Sequence, residues 1–167
     1  MTNYKKLPRG LRNNNPLNIR RGATKWQGEV NQVTRIEDSN GENVVTCYYD
    51  RSFCQFKDIS YGWRAAFILL KKYINVYGLN TIEKIISRWA PSNENNTKAY
   101  IAHVALSARI PAIYQLHFND ADTMLRIAVA MCEVENGVTS VNVDNQQLIL
   151  GYNMAATYSM YNVVKAN

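Results

Sequence analysis

From Ser60 onward the apolar residues recur at helical spacing, in segments bounded by capping residues and breakers, and this commits most of the chain to packed helices. Ser60 reads as the cap of a helix running to about Tyr77, with Trp63, Ala66, Phe67, Leu70, Ile74 and Tyr77 on one face and Gly78 as its stop. Asn80-Thr-Ile-Glu83 is a variant capping box that opens a short helix carrying Ile82, Ile85, Ile86 and Trp89, ended by Pro91. Asn96 or Thr97 starts a third helix, with Tyr100, Ile101 and Val104. Asn119 or Asp120 starts a fourth, which leads to Glu135, and a fifth spans about Asn145 to Tyr161. The aromatics of these helices read first as core.

The part before Ser60 has a different grammar. Residues 1–11 look like a loose basic lead-in. Arg12-Asn-Asn-Asn-Pro-Leu-Asn-Ile-Arg20 cannot start a regular helix or a central strand, because Asn side chains bond their own backbone and Pro16 forces its predecessor toward extended geometry. Residues 25–58 are β-prone: Val30 to Ile36 alternates loosely, Asn40-Gly41 favours a tight hairpin turn, Val44 to Tyr49 is β-branched and aromatic, and Phe53 to Phe56 offers a third strand. The expected class is mainly α (α+β), one domain over residues 1–167 with a small antiparallel sheet near the N-terminus and a helical part over 60–161.

A chain of 167 residues can bury about two thirds of its unfolded surface around one core without disulfides. Cys47, Cys54 and Cys132 form no C-x-x-C pair and leave an odd one over, so neither a disulfide framework nor a zinc site is expected, although Cys47 and Cys54 could pair across a hairpin. There is no signal-like apolar run and nowhere the eighteen or so consecutive apolar residues of a membrane span, so the product is expected to be made in the cytoplasm and delivered by something else if it acts outside. The net charge of +6 implies an anionic partner. Lys5, Lys6, Arg9, Arg12, Arg20, Arg21 and Lys25 all precede the first acidic residue, Glu29. That arm suits nucleic acid, a membrane surface or an anionic wall polymer equally, or is simply a solvated tail.

The stretch with the most chemistry is Ala128-Val-Ala-Met-Cys-Glu-Val-Glu-Asn-Gly137. Asn136-Gly137 is a helix stop, since Gly takes the left-handed conformation readily. Glu135 then sits in the last turn, at the end of the dipole that disfavours negative charge. This favours the protonated form that a general acid needs.

Eight stretches taken together resemble one family: Arg12 to Arg20, Trp26-Gln-Gly28, Phe53-Cys-Gln-Phe56, Tyr61-Gly-Trp-Arg-Ala65, Tyr77-Gly-Leu-Asn-Thr81, Arg88-Trp-Ala-Pro91, Glu94-Asn-Asn-Thr97 with Tyr100, and Glu135-Asn-Gly137. They look like the phage and prophage lysozyme-like proteins often labelled virion structural proteins with peptidoglycan-hydrolase activity, and the match runs from about Arg9 to Gly137. The resemblance implies a lysozyme-like fold acting on bacterial cell-wall glycan, as a lytic transglycosylase, muramidase or endolysin, carried in a virion or released at lysis. In lytic transglycosylases the catalytic Glu ends a helix that precedes the small β region. Here the turn and β region come first and the Glu-Asn-Gly helix comes after, as in a circular permutation. Glu135 takes the catalytic position, and Thr97-x-x-Tyr100-x-x-x-Val104 resembles the motif whose Tyr lies beside the acid. Leu17 stands where the family commonly has Gly, and Val134 where a His often precedes Glu-Asn-Gly, which leaves the acid in drier surroundings.

Cutting a glycosidic bond needs an acid and a means of handling the sugar cation. Glu135 is the expected acid, with Asp50 and Glu29 as candidates for a second carboxylate. Without one, the substrate's N-acetyl oxygen and 6-hydroxyl complete a transglycosylase reaction, and the expectation leans that way. Asn15, Asn18 and Arg20 are expected to bind sugar amides and hydroxyls, and Trp26, Phe56 and Tyr100 to offer ring faces, with core packing an equal reading for Trp26 and Phe56. Glu133 points elsewhere on the helix. His103 and His117, with no acidic or cysteine partner at ligand spacing, read as structural, and no metal or cofactor is expected. The expected partner is peptidoglycan, with other virion proteins as further candidates, and the expected state is a monomer. The alternatives are a lysozyme-like virion protein that holds glycan without cutting it and, ranked below that, nucleic-acid binding, for which no signature is present.

Overall fold

A computed structural model describes residues 7–39, 42–92, 96–138 and 142–159, excluding the side chains of 35–48. The element order is α1 (Arg9–Arg12), β1 (Glu29–Val30), β2 (Val33–Ser39), β3 (Glu42–Tyr48), β4 (Gln55–Phe56), α2 (Ile59–Asn75), α3 (Ile82–Trp89), α4 (Thr97–Ala108), α5 (Ala121–Asn136) and α6 (Asn145–Ala156). The chain is thus mainly helical with a small β region near its N-terminus, as its periodicity requires.

Each long helix starts where a side chain accepts an otherwise unpaired N–H of the first turn. Asp58, not Ser60, caps α2: its carboxylate accepts the Ser60 N–H at 2.9 Å and the Ser60 hydroxyl at 2.6 Å. α2 stops at Asn75, short of Tyr77. The Asn80–Glu83 capping box does not form, because Thr81 is the cap and accepts from Lys84 N, which puts Lys84 in the position a reciprocal Glu would need. Asn96 caps α4, Asp120 caps α5 and Asp144 caps α6. α6 ends at Ala156 rather than near Tyr161, which lies outside the described residues. Its end is held by Lys71, whose Nζ donates to the carbonyls of Ala155, Ala156 and Tyr158.

The β region is two ladders, not one sheet. β2 and β3 pair antiparallel from Val33↔Tyr48 to Ser39↔Glu42, while β4 pairs with β1 (Glu29↔Phe56, Val30↔Gln55). The Asn40-Gly41 turn lies outside the described residues. Nor is the lead-in loose throughout: from Arg9 it forms the short α1, which packs on α5 with Gly10 buried.

The core is continuous through the helices. α2 packs chiefly on α6 and α4 on α5. Trp63, Phe67, Phe118 and Tyr152 form an aromatic cluster in which Phe67 meets Tyr152 edge-on at 5.3 Å and Phe118 stacks on it at 5.3 Å. Cys54 and Cys132 are free, fully buried thiols among the described residues, and the side chain of Cys47, the expected partner of Cys54 across a hairpin, lies outside them.

Candidate active site

α5 ends as the sequence demands. Gly137 takes a left-handed conformation (φ 64°), and the N–H groups of Gly137 and Val138 satisfy the carbonyls of Val134 and Glu133. The Glu135 carbonyl is taken by a residue from the other end of the chain, Asn18, whose Nδ2 donates to it at 2.8 Å. Asn136 makes a second tie, donating from Nδ2 to Pro16 O at 2.9 Å and to Cys132 O at 2.8 Å. The Asn-rich turn and the end of α5 are therefore one unit.

The turn that reaches α5 is itself braced by amides. Asn15 is fully buried, donates to the carbonyls of Ile19 and Cys54 at 2.9 Å each and accepts the Ile19 N–H at 2.9 Å. Asn14 donates to Phe56 O at 2.9 Å. Asn18 sits at φ 50°, a left-handed conformation that Asn tolerates better than most residues. Asn18 Oδ1 and Asn136 Oδ1 are buried with no hydrogen-bond partner among the described residues, and both face Gly10: a Cβ built there would lie 2.9 Å from the first and 2.6 Å from the second. The absent side chain of Gly10 makes the space in which these two amides can turn their donors toward α5 and the turn.

The Glu135 carboxylate is held by donors from two other helices. Oε1 accepts the Trp89 Nε1–H at 2.9 Å and the Tyr100 hydroxyl at 2.9 Å, while Asn18 Nδ2 stands 3.5 Å from Oε2. Tyr100 is only 5% exposed. Burial, and then the adjacent Glu135, push its hydroxyl well above the usual tyrosine range, so it stays a donor. Thr97 ties the start of α4 to the end of α3 by donating to Ala90 O at 2.6 Å, which sets Trp89 and Tyr100 side by side. These groups border a cleft of about 500 Å³ lined by Asn96, Ala99, Tyr100, His103, Val134 and Glu135. Glu135 is the one carboxylate in that lining among the described residues; Glu94 and Asn95 lie outside them.

The other expected site residues have other duties. Glu29 has a side chain only 5% exposed, and both its oxygens are taken, by Arg21 at 3.0 Å and by Trp26 N–H at 3.0 Å. Asp50 Oδ1 accepts the N–H groups of Ser52 and Phe53, and Oδ2 accepts Asn13 Nδ2 at 2.9 Å with Arg9 at 3.6 Å. Burial acts to raise the Asp50 carboxyl, but these donors and the Arg9 charge outweigh it and hold it below the ordinary value. Both carboxylates serve the β region, and neither lines the cleft. Phe56 is fully buried core, Trp26 packs half-buried against the core, and Arg20 lies exposed over the Phe53 ring at 5.0 Å. Asn15 is a turn brace and Asn18 a positioning residue, so neither is placed as a sugar-binding amide. The basic arm is partly spent as well, since Arg21 pairs with Glu29 and Arg9 with Asp50.

Three participants are not legible in the sequence. Trp89 reads as a core residue of its helix, although it stands in the Arg88-Trp-Ala-Pro91 stretch. Asn136 reads only as part of a stop. His103 has no acidic partner at ligand spacing along the chain, yet its Nε2 lies 2.8 Å from Glu133 Oε2. That pairing joins two helices thirty positions apart, which no local spacing reveals.

No family model matches the chain. It is similar to a protein named Protein P5 from Pseudoalteromonas phage PM2, with 39% identity over 139 residues, covering 81% of this chain and 76% of that protein. Among the described residues no helix is long and apolar enough to cross a membrane. With that identity over most of both chains, this protein belongs to the family of phage PM2 Protein P5.

Proposed function

We propose that the protein cuts bacterial peptidoglycan glycan strands at a glycosidic bond, with Glu135 as general acid and then base, on a lysozyme-like helical domain in permuted order. The observation that carries this is the seat of Glu135, whose carboxylate is buttressed by Trp89 and Tyr100 at the edge of a cleft and fixed to the Asn-rich turn by Asn18. The permuted order is supported by the same contact, which joins residues 117 positions apart. A phage relative is consistent with a wall-cutting task.

Oε1 is saturated by two donors, so Oε2 is the oxygen that carries the proton to be delivered. Oε2 gives that proton to the leaving glycosidic oxygen as the C1–O bond breaks. With Glu29 and Asp50 both engaged in the β region, the substrate's own N-acetyl oxygen bonds to C1 and stabilises the cation. Glu135, now a carboxylate, takes the proton of the sugar's 6-hydroxyl while O6 attacks C1 and displaces the N-acetyl oxygen. The product is a 1,6-anhydro sugar. General acid–base catalysis of this kind contributes on the order of 10²–10⁴-fold, and Glu135→Gln removes the proton while keeping shape. The test is clearing of a peptidoglycan suspension together with mass spectrometry of the fragments. Wild type should clear and leave anhydro ends, and Glu135→Gln should be silent. Equal clearing by the variant refutes the assignment of Glu135. A wild type that binds wall without clearing it supports the alternative of a non-catalytic, glycan-holding virion protein.

A further inference from the structure

One group on the cleft wall is left without a role by that reaction. His103 follows Tyr100 by one helical turn on α4 and lines the same cleft as Glu135. Its Nε2 is 2.8 Å from Glu133 Oε2, and the same oxygen accepts the Ser107 hydroxyl at 2.8 Å. The Glu133 side chain is 11% exposed and that of His103 is 39% exposed, so the carboxylate lies behind the ring and the ring meets solvent. A carboxylate only accepts, so Nε2 carries the hydrogen in this pair. In the neutral ring Nδ1 is then a bare acceptor. Turning the ring over would break the bond to Glu133, and Ser107 holds that carboxylate in place. The titratable groups around His103 among the described residues are Glu133 and Glu135 from α5 and Tyr100 from α4, while Val134 supplies an apolar wall.

We propose that His103 is a substrate-binding residue whose Nδ1 accepts a hydrogen bond from an N–H or O–H donor of the glycan in the Glu135 cleft, with Glu133 and Ser107 fixing the ring for that task. The inference rests on the glycan reading of the cleft. It makes the Glu133–His103 pair a recognition device beside the acid, since amino sugars present acetamido N–H and hydroxyl donors at every ring.

The experiment uses Glu135→Gln as a background that binds without cutting. The dissociation constant of a tetrasaccharide of alternating N-acetylglucosamine and N-acetylmuramic acid is measured for that protein alone and with His103→Ala or His103→Asn added. One lost neutral hydrogen bond predicts weakening by about three- to tenfold for His103→Ala. His103→Asn, whose Oδ1 accepts from near the position of Nδ1, should restore most of the affinity. Unfolding curves serve as the fold control. Equal affinity in all three proteins overturns the role of His103 and leaves Glu135 intact. Failure of the Glu135→Gln protein to bind the tetrasaccharide overturns both, and undiminished clearing by it overturns the catalytic reading alone.

Discussion

Replacing Gly10 with Ala tests the way the site is fastened. The new Cβ would stand 2.6 Å from Asn136 Oδ1, 2.8 Å from the Asn15 carbonyl oxygen and 2.9 Å from Asn18 Oδ1. The Asn15 oxygen belongs to the backbone of a turn braced by four amides, so it cannot simply step aside. Ala in a helix is intrinsically better than Gly by at most about 1 kcal/mol, which on propensity alone predicts stabilisation. Overpacking of a filled site costs about 1–3 kcal/mol. Displacing Asn136 puts its bonds to Pro16 and Cys132 at risk, each worth about 1 kcal/mol. The steric and hydrogen-bond losses win, and the expected net is a destabilisation of about 2 kcal/mol. For a chain of this size that lowers Tm by about 4–8 °C. Wall clearing should fall further than the loss of folded protein, because Asn18 and Glu135 move apart. The checks are a thermal unfolding curve and a turbidity assay at a temperature where the variant is still folded. An unchanged or raised Tm with full clearing would refute the packing argument.

Tyr100→Phe and Trp89→Phe each remove one donor from Glu135 Oε1, and kcat should drop on the order of tenfold for either, with the fold retained by circular dichroism. Asp50 is expected to make stability pH-dependent: its folded-state value lies below 3.8, so the folded protein binds fewer protons there, and the gain is present above 3.8 and lost as pH falls through the folded value. In urea unfolding, wild type should exceed Asp50→Asn at neutral pH, with the gap closing below about pH 4; a gap independent of pH contradicts it. Burial pushes the Cys54 and Cys132 thiols up to about 12, so a thiol reagent should leave both unmodified in the native protein and label both after unfolding. Rapid native labelling of either, located by peptide mapping, counts against their burial.

What the sequence discloses here is what local physics controls. Helical periodicity from residue 60, the left-handed Gly137 and the starts of α4 at Asn96 or Thr97 and of α5 at Asn119 or Asp120 follow from spacing and backbone preference, and the structure selects Asn96 and Asp120 as the caps. Asp58 shows the limit of such reading: it starts the helix two residues earlier by accepting both the Ser60 N–H and the Ser60 hydroxyl, so Ser60 falls inside the first turn and is not its cap. Asn15 and Asn18 were legible as a structured turn, but whether an amide faces a ligand or a carbonyl depends on what packs over it. The partners of these amides lie 39 and 117 positions away. Trp89 and His103 were hidden for the same reason. A tryptophan on an apolar helix face looks like core until another helix brings a carboxylate to its N–H. Phe56 carried core packing and cleft lining as equal readings, and the structure places it in the core, fully buried on the strand that pairs with β1.

The tie between Asn18 and Glu135 also bears on time. Contacts so distant along the chain form only after the intervening loop has closed, and such non-local pairings are late and slow to accumulate. A chain still emerging from the ribosome has its amide turn long before it has α5 to dock against. Until the last turn of α5 is made, Glu135 has no fixed address beside Asn18. Cutting competence should therefore appear abruptly on completion of the fold, and a fragment ending before α5 should remain inert however well its earlier helices form.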